Sequence, residues 1–353
     1  MARIAIVSFR LGGTDGVSIE AAKWVHALEL LGHHVTLVAG AGPVDHLLEG
    51  LRIGADHAPS KDELQAVLED DDLVIVENLA SLPLNLAARD VLYEVLDGRR
   101  ALFHHHDLPW QRDHLAGLEG PRDQPTWEHV TINDLSRREL ASRGIVATTI
   151  MNSFDCDPPE GNREATRERL GLGGRRLLLL PTRVIPRKNV EGAIDLARFL
   201  DAVLWILGPA EDGYGPELEG LLEQSGVETR RDLDHGLSVH DAYAACDLVV
   251  MSSTWEGFGN PVLESVTHLK PLAVHPYPVL EEIRSYGFQF FDIGDVTSIG
   301  EFLTHPDNGR LETNLAIART HFNVTHLPEK LAAVLNLDES EVRESNESER
   351  EAQ

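Results

Sequence analysis

The chain is short of cysteine, of cations and of long apolar runs, and each shortage removes a class of protein. Cys156 and Cys246 are the only cysteines in 353 residues, so no disulfide framework holds this fold. Cys246 lies in an Ala-Ala-Cys-Asp run that reads as a buried helix end, which fits a reducing cytosol. No apolar stretch exceeds strand length, which argues against a membrane-spanning helix. The first residues run straight into a strand pattern, Arg3-Ile-Ala-Ile-Val-Ser8, with no basic-then-apolar leader, so a cytoplasmic location is expected. Asp and Glu number 58 against 31 Lys and Arg, for a formal net charge of −27. Binding a phosphate backbone or an anionic lipid surface requires clustered cations, so neither nucleic acid nor stable membrane anchoring is expected. Lysine is confined to Lys23, Lys61, Lys188, Lys270 and Lys330.

What is present is a repeated strand and helix alternation. At 42% hydrophobic residues the chain can bury about two domain cores. Strand patterns at residues 3–9, 34–39, 72–78, 101–105, 129–133 and 147–151 alternate with helical ones, the pattern of a doubly wound parallel sheet. The first helix carries the stripe Val17, Ala21, Trp24, Leu28 and Leu31 and stops at Gly32. Residues 152–162, with Pro158, Pro159 and Gly161, form a turn-rich link. Beyond it the scheme repeats, with strands near 176–182, 203–207, 248–251 and 272–274. The expected division is residues 1–152, residues 153–337 and an acidic, polar tail over 338–353 that lacks the apolar residues to fold.

Two stretches carry chemistry. In Glu256-Gly-Phe-Gly-Asn-Pro-Val-Leu-Glu264, Pro261 suits a first helical position, so a helix begins near Asn260. Gly257 and Gly259 let the backbone approach a ligand, and the amides around Phe258 and Asn260 can face a diphosphate. The two carboxylates, Glu256 and Glu264, can accept hydrogen bonds from vicinal sugar hydroxyls. Alone, such a stretch is more often a capped helix with an exposed glutamate. Its flanks favour the functional reading, because a buried strand ends at Met251 and ligands of open α/β sheets bind beyond strand C-termini. The second stretch follows the apolar strand Arg176-Leu-Leu-Leu-Leu-Pro-Thr182, where Arg183 and Lys188 supply fixed positive charge for a departing diphosphate.

Taken together, Arg183, Lys188 and the run from Glu256 to Glu264 resemble the retaining glycosyltransferases of family 4. Further likenesses are Gly12-Gly13 after the first strand, residues 149–155, and His240-Asp-Ala-Tyr-Ala-Ala-Cys-Asp247. The resemblance implies the GT-B fold, two Rossmann-like doubly wound domains facing across a cleft, the first for the acceptor and the second for the nucleotide sugar. It implies that Arg183 and Lys188 hold the donor diphosphate, Glu256 a donor-sugar hydroxyl and Glu264 the ribose. It also brings Gly12 and Gly13 to the phosphates and His106 to the transferred sugar, and implies that the last helices, within 315–335, cross back to the first domain. Two positions depart from the family pattern. Asn152-Ser153 stands where Asn-Gly is usual, and Leu269-Lys270 replaces a glycine before the strand that follows the acidic motif.

His104-His-His-Asp-Leu-Pro-Trp-Gln-Arg112 follows a predicted strand and is open to several readings. In extended backbone the three imidazoles point to alternating sides, which disfavours a single zinc site. Core histidines and an acceptor or sugar site, with His106, Asp107, Trp110 and Arg112, both stay open. Glu69-Asp-Asp-Asp72 precedes its strand and reads as a solvated loop, so no metal site and no cofactor beyond the co-substrate are expected. No residue stands out as a general base, and the paired glutamates are placed for hydroxyl contacts. The expected activity is metal-independent hexosyl transfer from a nucleotide-diphosphate sugar to a small, polar or anionic acceptor, with the retention that the resemblance implies. The alternatives are a nucleotide-sugar epimerase of the same architecture and a non-catalytic sugar-nucleotide-binding protein.

Overall fold

A computed structural model of the chain describes residues 1–211, 213–233 and 235–335. It separates into two compact units, Met1–Ser153 with the described residues 324–335, and Phe154–Asn323. The first unit holds strands β1 (Arg3–Ser8), β2 (His34–Ala39), β3 (His46–Leu47), β4 (Leu73–Glu77), β5 (Ala101–His105), β6 (Trp127–Thr131) and β7 (Thr148–Thr149). They form one sheet in the order β3-β2-β1-β4-β5-β6-β7, with every pair parallel. Alternation along β1 shows why helices cover both faces. Ile4 and Ile6 join one buried cluster with Trp24, Leu28 and Ile75, while Ala5 and Val7 join another with Leu64, Val74 and Leu92.

The second unit holds β8 (Arg176–Leu180), β9 (Ala202–Ile206), β10 (Thr229–Arg231), β11 (Leu248–Met251), β12 (Leu272–Val274) and β13 (Phe291–Asp292). These are also parallel, in the order β10-β9-β8-β11-β12-β13. Leu178, Leu180, Leu204 and Val250 pack on one side against Val190, Ala193, Ile194 and Ala197 of the helix Val190–Phe199. In both sheets the chain reverses its winding direction at one point, between β1 and β4 and between β8 and β11. Loops leaving neighbouring strands there diverge to opposite faces and leave a crevice at the strand C-termini, where open α/β sheets take their ligands.

The sequence reading carried the second domain to residue 337, but the second unit ends at Asn323. The helix Leu327–Val334 belongs to the first unit because Leu327, Leu331 and Leu335 are fully buried in the cluster with Trp24 and Leu28. Burying three leucines stabilises by roughly 5–9 kcal/mol. The preceding helix Asn308–His321 stays with the second unit. The predicted tail, 338–353, lies outside the described residues.

Candidate functional site

In the second unit the two motif loops leave β8 and β11, the pair at the winding reversal. Hydrogen bonds stitch them together. Ser252 Oγ donates to the Lys188 carbonyl at 2.8 Å, and Thr254 N donates to the Arg187 carbonyl at 3.0 Å. Lys188 closes a short 3-10 turn, Pro186–Lys188, and Asn189 turns the chain with a left-handed φ of 47° into the helix Val190–Phe199. That turn carries the Lys188 side chain inward, where its Nζ meets Glu256 Oε1 at 2.5 Å. Arg187 NH1 reaches Glu256 Oε2 at 3.0 Å and the Trp255 carbonyl at 2.7 Å. Burial alone would push the Glu256 carboxyl up, but Lys188 and Arg187, with a hydrogen bond from Ser253, outweigh it and hold the carboxyl down at about 2. Glu256 is therefore a buried carboxylate bracketed by two cations.

Arg183 does not join that cluster. Its NH1 pairs with Glu211 Oε2 at 2.7 Å, with both side chains more than a third exposed. Arg187 and Glu211 were absent from the sequence-based site. Arg187 stood between the two cations of the motif, and its order in the turn was the available signal. Glu211 gave none, because 28 residues separate it from Arg183.

The glycine loop ends on Gly259, whose φ of 90° caps the helix Asn260–Thr267 with Pro261 in its first turn. A Cβ at Gly259 would lie 2.4 Å from the Tyr277 hydroxyl, which donates to the Phe258 carbonyl at 2.8 Å. Phe258 is itself buried, so of the loop side chains it is packing rather than surface. Glu264, half-buried in that helix, accepts from Tyr243 Oη at 2.7 Å. Burial first, and the Glu264 charge second, raise the Tyr243 phenol well above its ordinary range, so it remains a donor. Tyr243 lay within the quoted run 240–247 but was assigned no role from sequence.

In the first unit, Gly12 takes a φ of 73° and packs closely on Pro43, where a Cβ would approach Pro43 Cγ to 2.6 Å. Gly13 is exposed and precedes Asp15, which caps the helix Gly16–Leu30 by accepting from Ser18 N. On the other side of the winding reversal, β4 ends in Glu77 and β5 in His104 and His105. The register sets Glu77 beside His104, and His106 follows two residues on, on the same side. His104 Nδ1 lies 3.0 Å from both Glu77 oxygens, and His106 Nε2 lies 2.8 Å from Oε2. The Trp24 ring stacks on His104 with centroids 4.1 Å apart. His105 points away, to Ser81 Oγ at 2.6 Å and His129 Nδ1 at 2.9 Å, as the alternation of extended backbone requires. Asn78, at a φ of 58°, accepts from the backbone amides of His106 and Asp107 and so fixes the start of the loop.

One donor atom each from Glu77, His104 and His106 lie within 4.8 Å of one another. A divalent ion would have to occupy the space of the two N–H hydrogens that His104 Nδ1 and His106 Nε2 direct at Glu77. Further along the loop, Trp110 donates to Glu139 at 2.8 Å and has Arg143 stacked 3.5 Å above its ring, while Arg112 pairs with Asp107 at 2.7 Å. Trp110 therefore has one face already covered, and Arg112 has an internal counter-ion.

Comparison with known proteins agrees with this layout. Residues 162–300 match the family profile described as glycosyl transferases group 1. The mannosylglucosylglycerate synthase of Thermotoga maritima is 26% identical, covering 94% of this chain and 99% of that protein. The enzyme of the same name from Petrotoga mobilis is 27% identical over 82% of this chain and 86% of its own length. Among solved structures, HepE of Anabaena in complex with UDP and glucose superposes with a TM-score of 0.74 at 17% identity, covering 96% of this chain and all of that one. Residues 162–300 thus resemble a group 1 glycosyltransferase domain, and the chain is a glycosyltransferase with the GT-B fold.

Proposed function

We propose that the chain transfers a hexosyl group from a nucleotide-diphosphate sugar to a small polar acceptor, with retention at the anomeric carbon and without a metal ion. The observation that carries this is the placement of Arg187, Lys188 and Glu256 beyond β8 and β11, the one point of the second sheet where the winding reverses. Cations at that crevice suit the charge that accumulates on a departing diphosphate. Arg183 joins them by exchanging Glu211 for phosphate oxygen. Glu256 takes a hydroxyl of the donor sugar, and Glu264, oriented by Tyr243, takes the ribose. The helix start at Asn260 and the glycine loops, Gly257 and Gly259 here and Gly12-Gly13 in the first unit, offer backbone amides to the phosphates. His106 is assigned to the transferred sugar.

In the reaction, the acceptor oxygen bonds to the anomeric carbon on the face from which the diphosphate departs. The carbon–oxygen bond to phosphate breaks, and the acceptor proton passes to the leaving phosphate oxygen. This route needs no enzymic nucleophile. Two relatives are named for a mannosylated glucosylglycerate, so the acceptor proposed here is a glycerate-bearing glycoside and the transferred sugar mannose. Thermal shift against UDP-, GDP- and ADP-sugars identifies the donor, since a ligand at a hundredfold its Kd stabilises by about 2.7 kcal/mol. Labelled donor is then incubated with glucosylglycerate, with and without EDTA. Labelled product in both arms, with the anomeric configuration of the donor, is the expected result. Isomerised donor, unchanged donor or activity abolished by EDTA would overturn the reading.

A further inference from the structure

The Glu77, His104 and His106 cluster holds two imidazoles on one carboxylate, and its geometry treats the two rings differently. Glu77 and His104 are 0% exposed and His106 is 5% exposed. His104 uses Nδ1 on Glu77, and its Nε2 is buried with no partner. A second proton on His104 would leave a buried N–H without an acceptor among the described residues, which costs about 1–3 kcal/mol, so His104 stays neutral with its single hydrogen on Nδ1. His106 has no such obstacle, because Nε2 donates to Glu77 and Nδ1 makes no hydrogen bond among the described residues.

We infer that Glu77 is a positioning residue for His106: it binds the Nε2 hydrogen, keeps the imidazole doubly protonated, and so presents Nδ1–H as a charged donor to the substrate. This rests on the assignment of His106 to the transferred sugar made above. The groups facing His106 are Glu77 from β4, His104 from β5, Glu20 from the helix Gly16–Leu30 and Asp107 beside it. Glu20 is buried and bonded to Lys23 at 2.8 Å, so Glu77 is the carboxylate in direct contact. Burial alone would depress His106, yet the bond and charge of Glu77, helped by Glu20 and Asp107, raise it. An imidazolium there would stabilise an oxygen gaining negative charge as the glycosidic bond breaks.

The test is a histidine titration followed by NMR on isotope-labelled full-length protein, with the His106 signal assigned by its loss in His106→Asn. In the wild type both ring nitrogens of His106 should carry hydrogen at pH 7, while His104 carries one. In Glu77→Gln, which keeps an acceptor but removes the charge, the His106 titration should fall by about one pH unit or more. The alkaline limb of the kcat profile should fall with it, with free-nucleotide affinity unchanged. A neutral His106 in the wild type at pH 7, or an unshifted titration and pH profile in Glu77→Gln, overturns the inference. The wild-type spectrum decides it even if the variant does not fold. Should no sugar nucleotide be turned over by the wild type, the proposed function fails while the titration still reports on Glu77.

Discussion

Arg183 and Lys188 look interchangeable in the sequence, and the structure gives them different energetic settings. Lys188 is buried on Glu256, so Lys188→Ala leaves a buried carboxylate with Arg187 as its remaining cation. Removing one partner of a buried pair costs about 3–5 kcal/mol when nothing replaces it, and Arg187 should reduce that to about 1–3 kcal/mol. Arg183 sits in a half-exposed pair with Glu211, worth less than about 1 kcal/mol after solvent screening. Urea unfolding should therefore show Lys188→Ala clearly destabilised and Arg183→Ala almost unchanged. Transfer should fall about a hundredfold or more in both, because each removes charge that would stabilise the leaving diphosphate. Unaltered kcat/KM in Arg183→Ala would place its guanidinium elsewhere than on the phosphates.

The helix Asn260–Thr267 has a left-handed residue at each end, glycine at one and leucine at the other. Gly259 needs its φ of 90°, and the Tyr277 hydroxyl leaves no room for a Cβ. Gly259→Ala should cost about 1–3 kcal/mol. Adding Tyr277→Phe should recover part of that loss, which is a non-additive outcome two independent sites would not give. Leu269, just past the other end, adopts a φ of 51° and is exposed. This is where the sequence departs from a glycine common in the family, and Leu269→Gly should stabilise by about 1 kcal/mol, read as a rise in melting temperature. The long strands were legible because their apolar runs are continuous, and so was the helix start at Asn260, because Pro261 marks it. The two- and three-residue strands β3, β10 and β13 were missed, since each is short and half or more exposed or polar, whereas the equally short β12 is an apolar Leu-Ala-Val run. At the site, residues adjacent in sequence were legible and partners from other elements were not. Glu77 ended a buried strand, a place where a carboxylate needs a reason, but only the register of β4 with β5 shows that the reason is a pair of histidines.

Across the whole molecule, buried titratable groups should make stability fall on acidification, against the direction set by net charge. At −27 the chain repels itself near neutrality, and approaching its pI of about 4.9 relieves that repulsion and favours the compact state. The histidines work the other way. Burial lowers His104, His105 and His129, so below an ordinary value near 6.5 the unfolded chain binds protons that the folded chain refuses. Stability is lost as pH falls through that range. His33 and His268 are lowered as well, whereas His106 is raised and contributes stability at low pH that is lost as pH rises through its folded value, so one histidine opposes five. Further down, Glu77 and Glu256, both held at about 2, contribute stability that is complete above the unfolded carboxylate range and disappears between about pH 4.5 and 2. Salt separates the two effects, because at 1 M the Debye length is about 3 Å and surface repulsion is screened while the buried groups are not. Melting temperatures in 1 M NaCl should therefore decline steadily from pH 7 to pH 5 and steeply below pH 4. A curve that stays flat or rises from pH 7 to pH 5 at that salt would mean the buried histidines bind protons without unfolding, and would remove His104 as the neutral member of the Glu77 cluster.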